Sequence, residues 1–177
     1  VDPTVHAFLA LSLGHLLADF PFQTDVIYAW KFRGWWGLVP HVLVHIVVTG
    51  VLFIHPLRYW PLFLGIFVSH YLIDWGKLHV VASRPSRAFL LDQGLHFLSL
   101  FLLVTLLPVP RVLLPTGALI VLLLYALLPA AFMYRTIRAQ EDQADGPSLP
   151  RGRNWMHTAR VTGVSLLLTL FLLQVIR

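Results

Sequence analysis

Four times in its first hundred residues the chain sets two metal-capable side chains one helical turn apart inside an apolar stretch: His15 with Asp19, His41 with His45, His70 with Asp74, and Asp92 with His96. Residues i and i+4 share one face of a helix, so each pair forms a local polar face. An Asp near the centre of a bilayer costs about 2.5–3.5 kcal/mol on insertion scales, and several such groups together cost on the order of ten. A cost of that size calls for a compensating partner. Structural zinc releases about 10–16 kcal/mol in small peptides, enough to offset the whole set.

The bilayer enters the argument through composition. Hydrophobic residues make up 58% of the chain and charged residues 12%, with a mean hydropathy of +0.76, values expected of a polytopic membrane protein. A span needs about 20 residues, and six candidate helices fit, near 5–20, 38–54, 60–76, 88–107, 111–133 and 155–176. The expected fold is therefore all-α, a polytopic membrane helix bundle of about six transmembrane helices, with residues 1–177 forming a single membrane domain. The first segment lacks a basic leader and an A-x-A-like cleavage site and carries His15 and Asp19, so it is read as a mature helix.

A net charge of +5 does not point to nucleic acid, because the basic residues are spread among loops. Lys31, Arg33, Lys77, Arg84, Arg87, Arg135, Arg138, Arg151, Arg153 and Arg160 fall on one side of the spans, and Arg58, Arg111 and Arg177 on the other. The positive-inside rule makes the first side cytoplasmic and puts both termini outside. Trp30, Trp35, Trp36, Trp75, Tyr134 and Trp155 at the inner edge, and Tyr59 and Trp60 at the outer, fit interfacial belts. The chain has no Cys, which excludes disulfides and thiolate ligands and leaves imidazole and carboxylate as metal donors.

A weak internal repeat relates the pairs. Helix one ends H-L-L-A-D-F and helix three H-Y-L-I-D-W, and each following helix begins with a second pair, H-V-L-V-H or D-Q-G-L-H. Helices one to four thus read as two pseudo-equivalent hairpins around a polar site, with all eight groups at one depth near the cytoplasmic side. Residues 5–107 would form this core, and 108–177 two supporting helices with a cytoplasmic loop at 135–154 that begins as a short helical extension. Pro40 suits the first turn of helix two, and Pro115 and Pro129 bracket helix five.

Five His and three Asp suit one or two divalent transition metal ions, zinc first, with iron or manganese as alternatives; calcium and magnesium prefer oxygen cages. The same residues also fit interhelical hydrogen bonds that fix packing, or a proton relay. Around them, Asp25 is the candidate general base, and Lys77, three residues after Asp74, the candidate catalytic cation. Gln23, Lys31, Arg33 and Gln93 are candidates to orient ligands or hold a substrate. His6, His55, His79 and His157 have no i,i+4 partner and read as edge residues, and Thr49, Ser69 and Ser99 as packing residues.

The segments H-L-L-A-D-F-P-F-Q-T-D (His15–Asp25), H-Y-L-I-D-W-G-K (His70–Lys77) and F-L-L-D-Q-G-L-H (Phe89–His96) resemble a bacterial integral-membrane family, the domain of unknown function 3307, over about residues 8–105. The resemblance implies a multi-pass protein of the bacterial inner membrane and carries no activity. More distantly, the H-x-x-x-D pattern is similar to small inner-membrane proteins predicted to be metal-dependent hydrolases. The expected function is a metal-dependent hydrolase acting on a membrane lipid or lipid-linked ester or phosphoester near the cytoplasmic leaflet. The alternatives are a divalent metal-ion transporter, a di-iron oxidase or oxygenase, and a non-catalytic membrane assembly factor.

Overall fold

Caps and prolines set where the helices of this chain begin. In a computed structural model describing residues 1–79 and 84–142, α1 (Pro3–Asp19) starts behind Asp2, whose carboxylate accepts from the Thr4 and Val5 amides at 2.8 and 3.2 Å. Those amides hold the Asp2 carboxyl below the usual carboxylate range. The helix stops just ahead of Pro21. Thr24 caps α2 (Asp25–Lys31) through the Ile27 amide, and Gly34, at φ 95°, turns the chain into α3 (Trp35–Gly50) in a conformation that favours glycine. A short 3-10 turn at Pro56–Tyr59 leads to α4 (Trp60–Leu78), Pro85 opens α5 (Pro85–Leu106), and α6 (Thr116–Asp142) follows.

All six helices and the absence of any strand among the described residues agree with an all-α class. Among the described residues, only α5 and α6 are long and apolar enough to cross a membrane; α3 is apolar but has 16 residues. The expected helix at 155–176 and the loop from 143 onward lie outside the described residues.

The structure departs from the sequence reading in three places. The connection after α1 contains the seven-residue α2, too short for a periodic pattern to register. Helix α3 begins at Trp35, so Pro40 lies inside it and not in its first turn. Residues 111–113 do not start a helix, because Arg111 O accepts from Ile54 N at 2.8 Å and Leu113 N donates to Leu52 O at 2.9 Å around an isolated antiparallel bridge between Phe53 and Val112.

Helices α1, α3, α4 and α5 pack in a closed ring, each against the next, and α6 lies outside against α1 and α5. Three neighbours surround α1, which explains why its apolar residues from Ala7 to Ala18 are buried almost all round. Gly14 permits the close approach to α3: a Cβ there would stand 2.6 Å from Thr49 Oγ1 and 3.1 Å from Thr49 Cα. At the far end of the outer helix, Glu141 accepts from both the amide and the hydroxyl of buried Ser86, each at 2.5 Å, and so clamps α6 to the start of α5.

Polarity inside the ring is the reverse of a water-soluble bundle. Along α5 the buried residues are Ser86, Asp92, His96, Leu100 and Val104, whereas Leu91, Leu95, Leu98 and Leu102 point outward. On α6 the exposed side includes Val121, Leu124, Leu128 and Phe132. At the level of Asp92 and His96, α5 turns its acid and imidazole inward and Leu91 and Leu95 outward.

Candidate metal centre

The i,i+4 spacing lays each pair along one helix face, and the ring turns four such faces toward one another. Helices α1 and α4 carry their pairs in their C-terminal halves, and α3 and α5 carry theirs around their middles, so the antiparallel order brings the eight side chains together. His15, His41, His45, His70, Asp74, Asp92 and His96 are buried, and Asp19 is nearly so.

The tightest group is Asp19, His41, His45 and His70. His41 Nε2 lies 3.2 Å from His45 Nε2 and 3.2 Å from His70 Nε2. Asp19 Oδ1 is 3.1 Å from His41 Nε2, 3.1 Å from His45 Nε2 and 3.8 Å from His70 Nε2. A tetrahedral zinc ion with bonds near 2.0–2.1 Å separates its ligand atoms by about 3.3–3.4 Å. The five spacings bracket that value. Hydrogen bonding alone does not satisfy this arrangement, because His41 Nε2 also has Asp74 Oδ2 at 3.3 Å, and one ring nitrogen offers either a single proton or a single lone pair. A shared cation held by Asp19, His41, His45 and His70 would satisfy the converging nitrogens at once.

A second group is formed by Asp74, Asp92 and His96. His96 Nε2 stands 3.7 Å from Asp74 Oδ1 and 3.6 Å from Asp92 Oδ1, outside hydrogen-bonding distance. Both ring nitrogens of His96 and Asp92 Oδ1 are buried without a hydrogen-bond partner. Asp74 joins the groups, with Oδ2 toward His41 and His70 and Oδ1 toward His96. His15 lies within reach of His70 and His96 as a third combination.

Two glutamines tie the ligand candidates together. Gln93 Nε2 donates to Asp19 Oδ2 at 3.2 Å and to Asp92 Oδ2 at 3.3 Å, which leaves Oε1 to accept from His15 Nε2 at 3.3 Å. In that tautomer His15 Nε2 carries the proton, and only Nδ1 retains a lone pair. Gln23 Nε2 is placed 3.3 Å from His41 Nδ1. The exchanged amide orientation would accept a proton from Nδ1 and free Nε2 for a cation, the usual support of a ligating imidazole.

Among the remaining sequence candidates, Lys31, at the end of α2, approaches Asp74 Oδ2 at 3.1 Å, and Lys77 Nζ donates to Asp92 Oδ2 at 2.5 Å. Asp25 is the exposed first residue of α2, at the opposite end from Lys31, and Arg33 is exposed in the turn that follows. His6 Nε2 is bonded to Leu114 O at 2.9 Å and His79 Nδ1 to Trp75 O at 2.7 Å, while His55 lies in the turn before α4. His157 lies outside the described residues. Ser69 and Ser99 hydroxyls donate to carbonyls of their own helices, and Thr49 packs on Gly14. Sequence reasoning missed the Ser86–Glu141 clamp, because residues 55 apart that meet through two side chains leave no periodic trace.

Over the described residues these features define an all-helical fold with buried His/Asp groups able to hold a metal ion and with two helices apolar enough to cross a membrane. The family model described as "Protein of unknown function (DUF3307)" matches residues 7–116, more than half of the chain, and the chain belongs to that family. The matched region contains all eight candidate ligands and ends at the first residue of α6. No curated protein and no solved structure matches the chain.

Proposed function

We propose that the protein is a multi-pass membrane hydrolase dependent on one or two divalent transition metals, zinc foremost, acting on a lipid or lipid-linked ester or phosphoester at the cytoplasmic leaflet. The observation that carries this reading is the near-tetrahedral spacing of Asp19 Oδ1 and the Nε2 atoms of His41, His45 and His70. The four-donor group would hold a divalent ion, and at the adjoining three-donor group of Asp74, Asp92 and His96, where a coordination position is left open, such an ion would supply Lewis acidity and lower the pKa of a bound water toward about 7. Three carboxylates against two lysines leave acidic oxygens in excess among the converging donors, which favours uptake of a cation.

Membrane residence is supported by the inverted polarity of α5 and by the apolar exposed side of α6, since a leucine-rich exterior around a buried ionisable centre suits lipid as solvent. Access from the interface is supported by α2, whose Val26, Tyr28 and Trp30 are exposed, together with Phe32, Trp35 and Trp36 just beyond it. Aromatic residues of this kind concentrate at head-group level. Beyond the site and the next layer of Ser12 and Thr49, the buried residues toward the Tyr59 end are apolar, among them Leu11, Leu62, Ile66, Leu100 and Val104. That apolar stretch favours an enzyme over a transporter, which requires a polar path through the ring.

The test is elemental analysis of the purified full-length chain, followed by hydrolysis assays on phospholipid and lipid-linked phosphate in nanodiscs with and without chelator. The expected result is a retained transition metal and a metal-dependent release of product. A folded wild-type preparation that turns over lipid esters with no transition metal present would overturn the reading.

A further inference from the structure

The two donor groups differ in what they leave open. Asp19, His41, His45 and His70 offer four donor atoms, a complete tetrahedral set, whereas Asp74, Asp92 and His96 offer three. Four protein donors close a zinc site and three leave a position for water or substrate. The second group also has unsatisfied atoms at its centre: His96 Nε2 and Asp92 Oδ1, 3.6 Å apart, are buried with no hydrogen-bond partner. A cation with bonds of about 2.2 Å in a tetrahedral arrangement separates its ligands by about 3.6 Å.

Each carboxylate of this second group already has a positive neighbour. Lys31 Nζ stands 3.1 Å from Asp74 Oδ2, and Lys77 Nζ is bonded to Asp92 Oδ2. An ammonium and a dication on one carboxylate repel each other, and the repulsion is weakly screened in a buried site. Lys77 has half of its side chain exposed, so it can turn outward; Lys31 is mostly buried and ends a seven-residue helix that packs mainly on α3.

We propose that Asp74, Asp92 and His96 form a second, exchangeable divalent-cation site, and that its filling displaces Lys31 and Lys77 from the carboxylates and loosens α2. This deepens the metal-centre reading above and rests on it, with the four-donor group as the permanent site and the three-donor group as the open one. Asp74, which faces both groups through different oxygens, is the bridging carboxylate.

The experiment counts zinc and manganese per chain in the full-length protein after dialysis at stepped free-ion concentrations. One ion should resist dialysis and a second should exchange. Asp92→Asn should abolish the second and spare the first. Lys77→Met and Lys31→Met should each tighten the second by about tenfold, a gain that a misfolded variant would not produce. Since the chain has no Cys, Tyr28→Cys carries a single spin label on the exposed side of α2; its mobility should rise as the second ion binds and stay unchanged in the Asp92→Asn background. A resistant first ion with no second ion at millimolar concentration, unchanged affinity in both lysine variants, or an unmoved label would each overturn the proposal. Absence of the resistant ion, with the exchangeable one still bound and still tightened by Lys77→Met, would overturn the permanent site alone and leave the exchangeable one supported.

Discussion

The two hairpins begin from nearly the same sequence pattern and arrive at different chemistry. In the first, α1 and α3 bring Asp19, His41 and His45 to 3.1–3.2 Å of one another. In the second, α4 and α5 leave His96 at 3.6–3.7 Å from Asp92 and Asp74. The expected source of the difference is the helix contact. Gly14, next to His15, lets the α1 backbone reach the Thr49 backbone, while the close point of the second hairpin, Gly65, lies five residues before His70 and meets the terminal methyl of Leu103. A ligand set is therefore shaped by the small residues behind it as much as by the donors, because those residues fix how near two helices come.

The comparison is broken most strongly at the ligands. Paired replacement His41→Ala and His45→Ala should lower metal affinity by more than about a hundredfold, beyond the 10–100-fold typical of losing a supporting residue. The paired replacement Asp92→Asn and His96→Ala should leave the first ion in place. Ion counts after dialysis decide it, and equal losses from both pairs would show one indivisible site instead of two.

Next in size is the helix contact. Gly14→Ala should destabilise the fold by about 1–3 kcal/mol, the usual cost of overpacking, because the added carbon meets Thr49 Cα at 3.1 Å and backbone has nowhere to go. Thr49→Ala would relieve only the hydroxyl contact. Gly65→Ala, whose added carbon meets Leu103 Cδ2 at 2.5 Å, should cost under about 1 kcal/mol, since a leucine can change rotamer. Denaturant titration in detergent measures both, and equal costs would remove the proposed source of the hairpin difference.

Much of the site was legible because its signal is local. Pairs such as His41 with His45 lie four residues apart on one helix, and the alternating direction of the helices then sets their level without knowledge of the packing. Gln93 was visible as a neighbour of Asp92, but its link to Asp19 depends on the α1–α5 contact, 74 residues apart. Helix α2 escaped detection because seven residues hold too little periodicity, and Lys31 reaches Asp74 only through that helix. The same limit applies to Arg111 and Leu113: a bridge between two loops belongs to pairing across the fold and leaves no mark within either loop.

A weaker test concerns the outer helix. The hydroxyl of Ser86 donates to the Glu141 carboxylate from a buried position, so Ser86→Ala removes one hydrogen bond to a charged group but leaves the amide bond to Glu141 intact. The expected loss is about 1.5 kcal/mol, the low end for hydrogen bonds to charged groups, as Glu141 keeps the Ser86 amide and Arg138 as partners. It should appear in unfolding curves with no change in metal content, because α6 supplies none of the candidate ligands. A simultaneous loss of metal would mean that α6 presses α5 into the ring and sets the looser spacing of the second hairpin.

The smallest effect is expected at Gly94, where an added Cβ would meet nothing within 4 Å. It lies inside α5, between Asp92 and His96, on the exposed side. Alanine is favoured over glycine in a helix interior by about 0.8–1.0 kcal/mol, so Gly94→Ala should stabilise α5 by up to that amount. If the loose geometry of the second hairpin is set by packing at Gly65 and Leu103, stiffening α5 at Gly94 should leave metal content and exchange rate unchanged. If local flexibility of α5 between its two donors is instead what lets the second ion exchange, the same substitution should slow exchange, and the difference between the hairpins would lie in the helix itself and not in its contacts.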